Sequence, residues 1–368
     1  MLSCDIGWAC RQLRRLMCCL CLILMAGDTR AQAPTPEGGI HLRVVGGLAS
    51  LSQYVRFEQP FWENRIQEIS GGRITAEIAP FDRSGLRAPE ILPLMRLGVV
   101  GFGNALLGAA SGDEPEFNIV DLPALNPDFA TLRRNTELLR PYLRAVLAER
   151  HNVELLGVYT LPAQVLFCVR PFSSLADLAG RKVRTSSVGQ SELVEALGGV
   201  PVVTAFADIV NAIRTGVVEC AITGTLSGYL IGLHEVTNHV HAMAISWGIS
   251  VFGASRPTWA SLPEDVRRTL REAVTRLEDE IWAGAERETG EGMACNAGPA
   301  AQGLPPCQAP GQPGRMRIVP VAPSDAALRE RLLRETVLPR WIGRCGPSCA
   351  DLWNTYLAEA NGFRAQAN

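Results

Sequence analysis

The chain has 368 residues, room for about two domains at ~150 residues each, each large enough to bury a core. Apolar residues make up 47% and charged residues 20%, a globular balance that excludes a disordered chain. The formal net charge of −2 excludes the basic footprint of a nucleic-acid binder.

Arg11, Arg14 and Arg15 precede an apolar run over residues 16–27, and two small-x-small patterns, Thr29-Arg30-Ala31 and Ala31-Gln32-Ala33, follow it. The run is too short to span a bilayer comfortably. The pattern predicts a secretory leader over residues 1–33, cut after Ala31 in preference to Ala33, where Pro34 would follow the scissile bond. Cys4, Cys10, Cys18, Cys19 and Cys21 leave with it.

Residues 34–39 read as a flexible start. A first strand is expected at 41–45, ending at Gly46-Gly47. A helix follows with Phe57, Phe61, Ile66 and Ile69 on one side and Ser70-Gly71-Gly72 as its stop. Residues 73–79 alternate as a strand, 90–97 are helical despite Pro93, and 99–107 form a buried strand and its turn. A second amphipathic helix covers 131–150, and 153–159 is a strand. Further strands are expected at 166–169, 182–184, 200–203 and 217–222, separated by a short helical turn at 174–178, a helix capped at Ser187-x-x-Gln190 and stopped by Gly198, and a helix over 208–215 closed by Gly216. This alternation predicts α/β layers with largely parallel sheets. Pro263 opens a long helix expected to reach about Glu288, with Val266, Leu270, Val274, Leu277 and Ile281 at helical spacing. Residues 290–315 break the pattern, and a helical segment covers 326–360.

Six cysteines remain after the leader: Cys168, Cys220, Cys295, Cys307, Cys345 and Cys349. An oxidising compartment permits disulfides. The last four lie in Pro/Gly-rich stretches and read as loop staples whose pairing stays open. Cys-x3-Cys with Cys-x11-Cys is a poor match to a zinc ribbon.

Several stretches carry a family resemblance. FWENRIQEISGGRI (61–74) is similar to a helix ending in Ser-Gly-Gly-Arg. SSLADLAGRKVR (173–184) looks like Asp-Leu-x-Gly-x-Lys-x-Arg, and LGGVP (197–201) resembles Leu-Gly-Ala-x-Pro, with Gly199 in place of the Ala. AFADIVNAIRTGVVE (205–219) resembles a helix followed by Thr-Gly-Val-Val-Asp, and SLPEDV (261–266) a Leu-Pro-x-Asp helix start. The chain resembles the periplasmic solute receptors of tripartite ATP-independent periplasmic (TRAP) transporters, the dicarboxylate-receptor family, over roughly residues 40–290; the Cys/Pro/Gly-rich stretch beyond 290 departs from the pattern.

The resemblance implies a two-lobed α/β periplasmic binding protein with a central cleft, crossing strands and a long connecting helix. Lobe one is expected over 38–160 plus 249–289, and lobe two over 161–248 plus 290–368 with the C-terminal helices. It also implies a periplasmic receptor, not an enzyme, with no cofactor and no metal. Its partners are a small carboxylate ligand and the membrane subunits of a TRAP permease.

Arg184 is the leading site residue. It ends a strand, a capped helix starts three residues later, and a guanidinium fork matches a carboxylate bidentately; the resemblance places the carboxylate-binding arginine at this position. Phe206 matches a ring that packs on the ligand. Thr223 lies where many members carry a polar residue, and Ser187 has a hydroxyl for a ligand or for its own helix cap. Ser50, Ser52 and Asn104 follow first-lobe strands, and Trp247 lies near the lobe crossover. Gln164 stands where many members carry a second arginine, which implies a less anionic ligand, such as a monocarboxylate. Glu219 replaces the family's acidic residue after Val-Val and is followed by Cys220 instead of Gly.

Enzyme readings find little support. There is no Gly-x-Ser-x-Gly elbow, Gly98-Val-Val-Gly101-Phe-Gly103 lacks the third glycine of a dinucleotide loop, and His239-x-His241 has no third ligand nearby. A secreted receptor for a sensor or for another transporter type is the remaining alternative.

Overall fold

The computed structural model describes residues 39–366; the expected leader lies outside them. Eleven strands form two sheets. In chain order they are β1 (Ile40–Gly46), β2 (Ile74–Pro80), β3 (Phe102–Leu106), β4 (Val153–Thr160), β5 (Gln164–Cys168), β6 (Lys182–Thr185), β7 (Val200–Val203), β8 (Cys220–Gly224), β9 (His239–His241), β10 (Ile249–Ser255) and β11 (Arg317–Val319). The first sheet runs β2-β1-β3-β10-β4 and the second β11-β9-β5-β8-β6-β7.

The expectation of largely parallel sheets needs correcting, because both are mixed. β10 is antiparallel to β3 and β4, and β5 is antiparallel to β8 and β9. Each reversed strand follows a passage of the chain from one sheet to the other: β4 leads through residues 161–163 into β5, and β9 through residues 242–248 into β10. A strand that arrives from the neighbouring sheet without a helical crossover has no need to run parallel.

The helix at residues 53–69 contains π-type turns over Gln53–Glu58 and Phe61–Arg65. The wider turn rotates the buried face, so Tyr54, Phe61, Trp62 and Ile66 are buried while Ile69 is exposed, contrary to the expected stripe. With the apolar face of the long helix they make one core: Val266, Leu270, Val274, Leu277 and Ile281 pack on Phe102, Tyr159 and Phe252 of the first sheet. That periodic stripe is what makes the helix, with acidic Glu264 and Asp265 at its positive end.

The long helix continues to Ala297, past its expected end near Glu288. Gly290 and Gly292, which read as breakers, are points of close approach: a Cβ on Gly292 would sit 2.1 Å from the Leu226 backbone nitrogen, at the helix Thr225–Leu230 that follows β8. Thr225 and Asn296 tie the same contact, the Asn296 side-chain amide donating to the Thr225 carbonyl at 2.9 Å. The long helix thereby joins the first sheet to the element behind the second.

All six cysteines of the described residues pair: Cys168 with Cys220, Cys295 with Cys307, and Cys345 with Cys349. Cys168 and Cys220 are direct register partners on β5 and β8. The C-terminal helices straddle both halves. Asp325 accepts the Leu175 N–H at 3.0 Å, Arg344 meets Glu192 at 2.7 Å, and the Trp341 indole N–H donates to the Pro115 carbonyl at 2.6 Å.

Candidate ligand-binding site

A cavity of about 520 Å³ lies between the sheets, inside the ~300–1,000 Å³ range of small-molecule sites. Its walls are the segments that follow β1, β2 and β3 on one side and β6, β7 and β8 on the other. Crevices beyond the carboxyl ends of strands are where open α/β sheets bind ligands.

Arg184 sits on β6 in the cavity wall and is buried. Its Nε donates to the Thr204 carbonyl at 3.0 Å and its Nη1 to the Ile222 carbonyl at 2.8 Å. These bonds aim the side chain without neutralising it: no carboxylate among the described residues pairs with it, and Nη2 makes no hydrogen bond to them. Burial lowers its pKa to about 10, so the group stays cationic at neutral pH.

Four of the other expected residues share this cavity: Gln164, Ser187, Phe206 and Thr223; Ser50 lines it too. Their engagement differs. The Thr223 hydroxyl has no hydrogen-bond partner among the described residues, and Phe206, half-buried, opens the turn Phe206–Asp208 after β7. Ser187 accepts the Gln190 N–H at 3.2 Å, so it caps its helix. The capping box is incomplete, since the Gln190 side-chain oxygen accepts from Ser186 N at 2.9 Å and not from Ser187. The Gln190 amide instead donates to Gln164 Oε1 at 2.6 Å and Ser246 Oγ at 2.8 Å. Gln164 Nε2 donates to the Trp247 carbonyl at 3.3 Å.

Three expectations need correction. Asn104 lies outside the cavity. Its amide donates to buried Glu58, which also accepts Gly47 N at 2.7 Å and Gln53 Nε2 at 2.8 Å; burial pushes that carboxyl above its ordinary range. Ser52 bonds Glu288 of the long helix. Trp247 faces a separate cavity of about 260 Å³, where its indole N–H donates to the Asn126 carbonyl at 2.9 Å and its ring meets Phe129 edge-on. Each of these side chains points to the inner side of its own segment, which proximity to a strand end does not reveal.

Asp121, which no sequence motif marks, also lines the cavity. It ends the turn Pro115–Asp121 and is partly buried. Its carboxyl accepts Trp247 N at 2.9 Å and Gly248 N at 2.7 Å, on the stretch that leads into β10. Burial outweighs those hydrogen bonds and raises its pKa to about 7. No ion pair or hydrogen bond joins Asp121 to Arg184: the acid is held by Trp247 N and Gly248 N, the cation by the Thr204 and Ile222 carbonyls.

An acid with a raised folded pKa stays protonated in the fold while the unfolded chain ionises. Stability from this group is therefore lost as pH rises from the unfolded value of 3.8 towards about 7. The stability difference between wild type and Asp121→Asn is expected to move in favour of the variant as pH rises from about 5 to about 8. Urea melts of both proteins at the two pH values check this, and a shift in favour of wild type would contradict it.

Residues 51–292 match the family model described as "Bacterial extracellular solute-binding protein, family 7". The chain is 24% identical over 222 residues to the C4-dicarboxylate-binding periplasmic protein DctP of Rhodobacter capsulatus, covering 59% of this chain and 66% of that one. It spans less than two thirds of the length of the curated relatives it matches. Among solved structures, DctP7 of Bordetella pertussis, an extracytoplasmic solute receptor binding pyroglutamic acid, aligns at 20% identity with a TM-score of 0.72, covering 86% of this chain and 99% of that one. A TRAP periplasmic solute binding protein of Rhodoferax ferrireducens with bound malonate aligns at 20% identity with a TM-score of 0.72, covering 87% and 98%.

Proposed function

The chain belongs to family 7 of the bacterial extracellular solute-binding proteins, and from that premise we propose that it is a periplasmic receptor that captures a small organic acid and hands it to a TRAP membrane permease. The family and the fold are those of solute receptors and not of enzymes. The observation that carries the reading is Arg184: a buried cation on the cavity wall, oriented by two backbone carbonyls and left without an acidic partner among the described residues. A buried charge is stable when paired, and a ligand carboxylate is the missing partner. Nη2 and the free N–H of Nη1 offer it the edge of the fork.

In this reading Thr223 adds a hydroxyl, Phe206 a ring face, and Gln164 and Ser187 shape the wall from positions already bonded within the protein. On the same reading two lobes, one around each sheet, are joined by residues 161–163, residues 242–248 and the long helix, and they close on the ligand about these connections. Pyroglutamate and malonate, held by the structural neighbours, are acids of the size such a cavity takes.

A thermal-shift panel of carboxylic acids, each beside its amide, tests the proposal. An acid that raises the melting temperature with concentration, while its amide does not, and that is recovered unchanged, is the expected result. No shift with any acid, or turnover of the acid, would overturn the receptor reading.

A further inference from the structure

Resting on that receptor reading, we propose that the ligand carries a single carboxylate on an otherwise apolar body. Four charged side chains line the cavity among the described residues: Asp82, Arg87, Asp121 and Arg184. Only Arg184 is a buried, unpaired cation. Arg87 is an exposed residue, and its guanidinium is held by Glu90 at 2.7 Å. Asp82 accepts the Ala49 N–H at 3.0 Å. Gln164 also lines the cavity, and its amide is tied on both sides, to Gln190 and to the Trp247 carbonyl.

A second ligand carboxylate therefore finds no second buried cation among the described residues, only the exposed Arg87 that Glu90 already holds. Away from Arg184 it meets the Asp121 carboxyl or the apolar wall. An unpaired carboxylate buried against the apolar wall is disfavoured by lost hydration, and Asp121, already accepting from Trp247 N and Gly248 N, offers it no positive charge in either protonation state. The wall itself favours hydrocarbon: Leu48, Leu86, Leu106, Leu161 and Phe206 line the cavity and are only partly buried, so each has apolar surface to give to a ligand. Covering that surface is favourable in proportion to its area, which selects a branched or aromatic body over a short polar one.

Calorimetry on the wild-type protein decides the matter, with isovalerate and phenylacetate set against malonate and succinate, and phenylacetamide as the uncharged control. The monocarboxylates are expected to bind at least tenfold more tightly than either dicarboxylate, with phenylacetamide showing no binding. Malonate or succinate binding as tightly as the monocarboxylates would overturn the ligand class and leave the receptor reading standing. Phenylacetamide binding like phenylacetate, or no binding by any of the acids, would overturn the carboxylate-receptor reading itself and the ligand class with it.

Discussion

Arg184→Ala is expected to weaken binding of the cognate carboxylate by about 2–5 kcal/mol, roughly thirtyfold to several thousandfold. The magnitude follows from burial. The Arg184 guanidinium is buried in the cavity wall and is the one buried cation among the described residues that line it. Removing it leaves the anion unpaired where hydration is poor. Arg184→Lys keeps the charge but loses the planar fork and the bond geometry to the Thr204 and Ile222 carbonyls, so an intermediate loss is expected. Effects on the ligand-free fold should be smaller. The alanine variant relieves an unpaired buried cation while stranding two carbonyl acceptors, and these terms oppose each other. Titration calorimetry on both variants, beside their urea melts, separates binding from stability. A loss of less than about threefold in the alanine variant would contradict the anchoring role.

Gly292→Ala is the second large effect, and its sign runs against helix propensity. In an exposed helix interior the exchange gains up to about 1 kcal/mol. At this position the new methyl would lie 2.1 Å from Leu226 N and 2.4 Å from the Thr225 carbonyl carbon, both backbone atoms. Neither can rotate away, so the long helix and the helix Thr225–Leu230 must separate, straining the bond from Asn296 to Thr225. A loss of about 3 kcal/mol is expected, at the upper end of overpacking costs. Gly343→Ala, where the added carbon meets nothing within 4 Å, is the control and should be neutral or stabilising. Denaturant melts of both check this; a stabilised Gly292→Ala protein would show that the helices do not approach closely.

Those two positions mark the limits of what the chain shows before folding. Arg184 is singled out by the resemblance, which places a carboxylate-binding arginine there; the strand, serine cap and helix start within a few residues of it do not by themselves separate a ligand anchor from a surface ion pair. Gly292 is misread because its reason is an element 66 residues away, and periodicity records only neighbours. The same limit explains β9 and β11, three residues each, whose pairing with one another joins distant stretches. It also explains β10, whose Ser250, Gly253 and Ser255 break up its apolar residues although every position is buried. Asn104 is expected after a first-lobe strand and Trp247 near the lobe crossover, yet which side of the segment each presents depends on partners such as Glu58 and Asn126. Asp121 carried a weak signal, an acid between the buried run Phe117–Val120 and Leu122-Pro123. Its meaning appears only with the backbone of Trp247 and Gly248 folded onto it.

A ligand carboxylate is expected to complete the charge of Arg184. The first measurement is a crystal structure of the protein with the acid that gives the largest thermal shift. Both carboxylate oxygens should lie within about 3 Å of the Arg184 guanidinium nitrogens, with the body of the ligand against Phe206 and Leu161. A carboxylate bound elsewhere in the cavity, with Arg184 still held only by Thr204 and Ile222, would contradict that pairing.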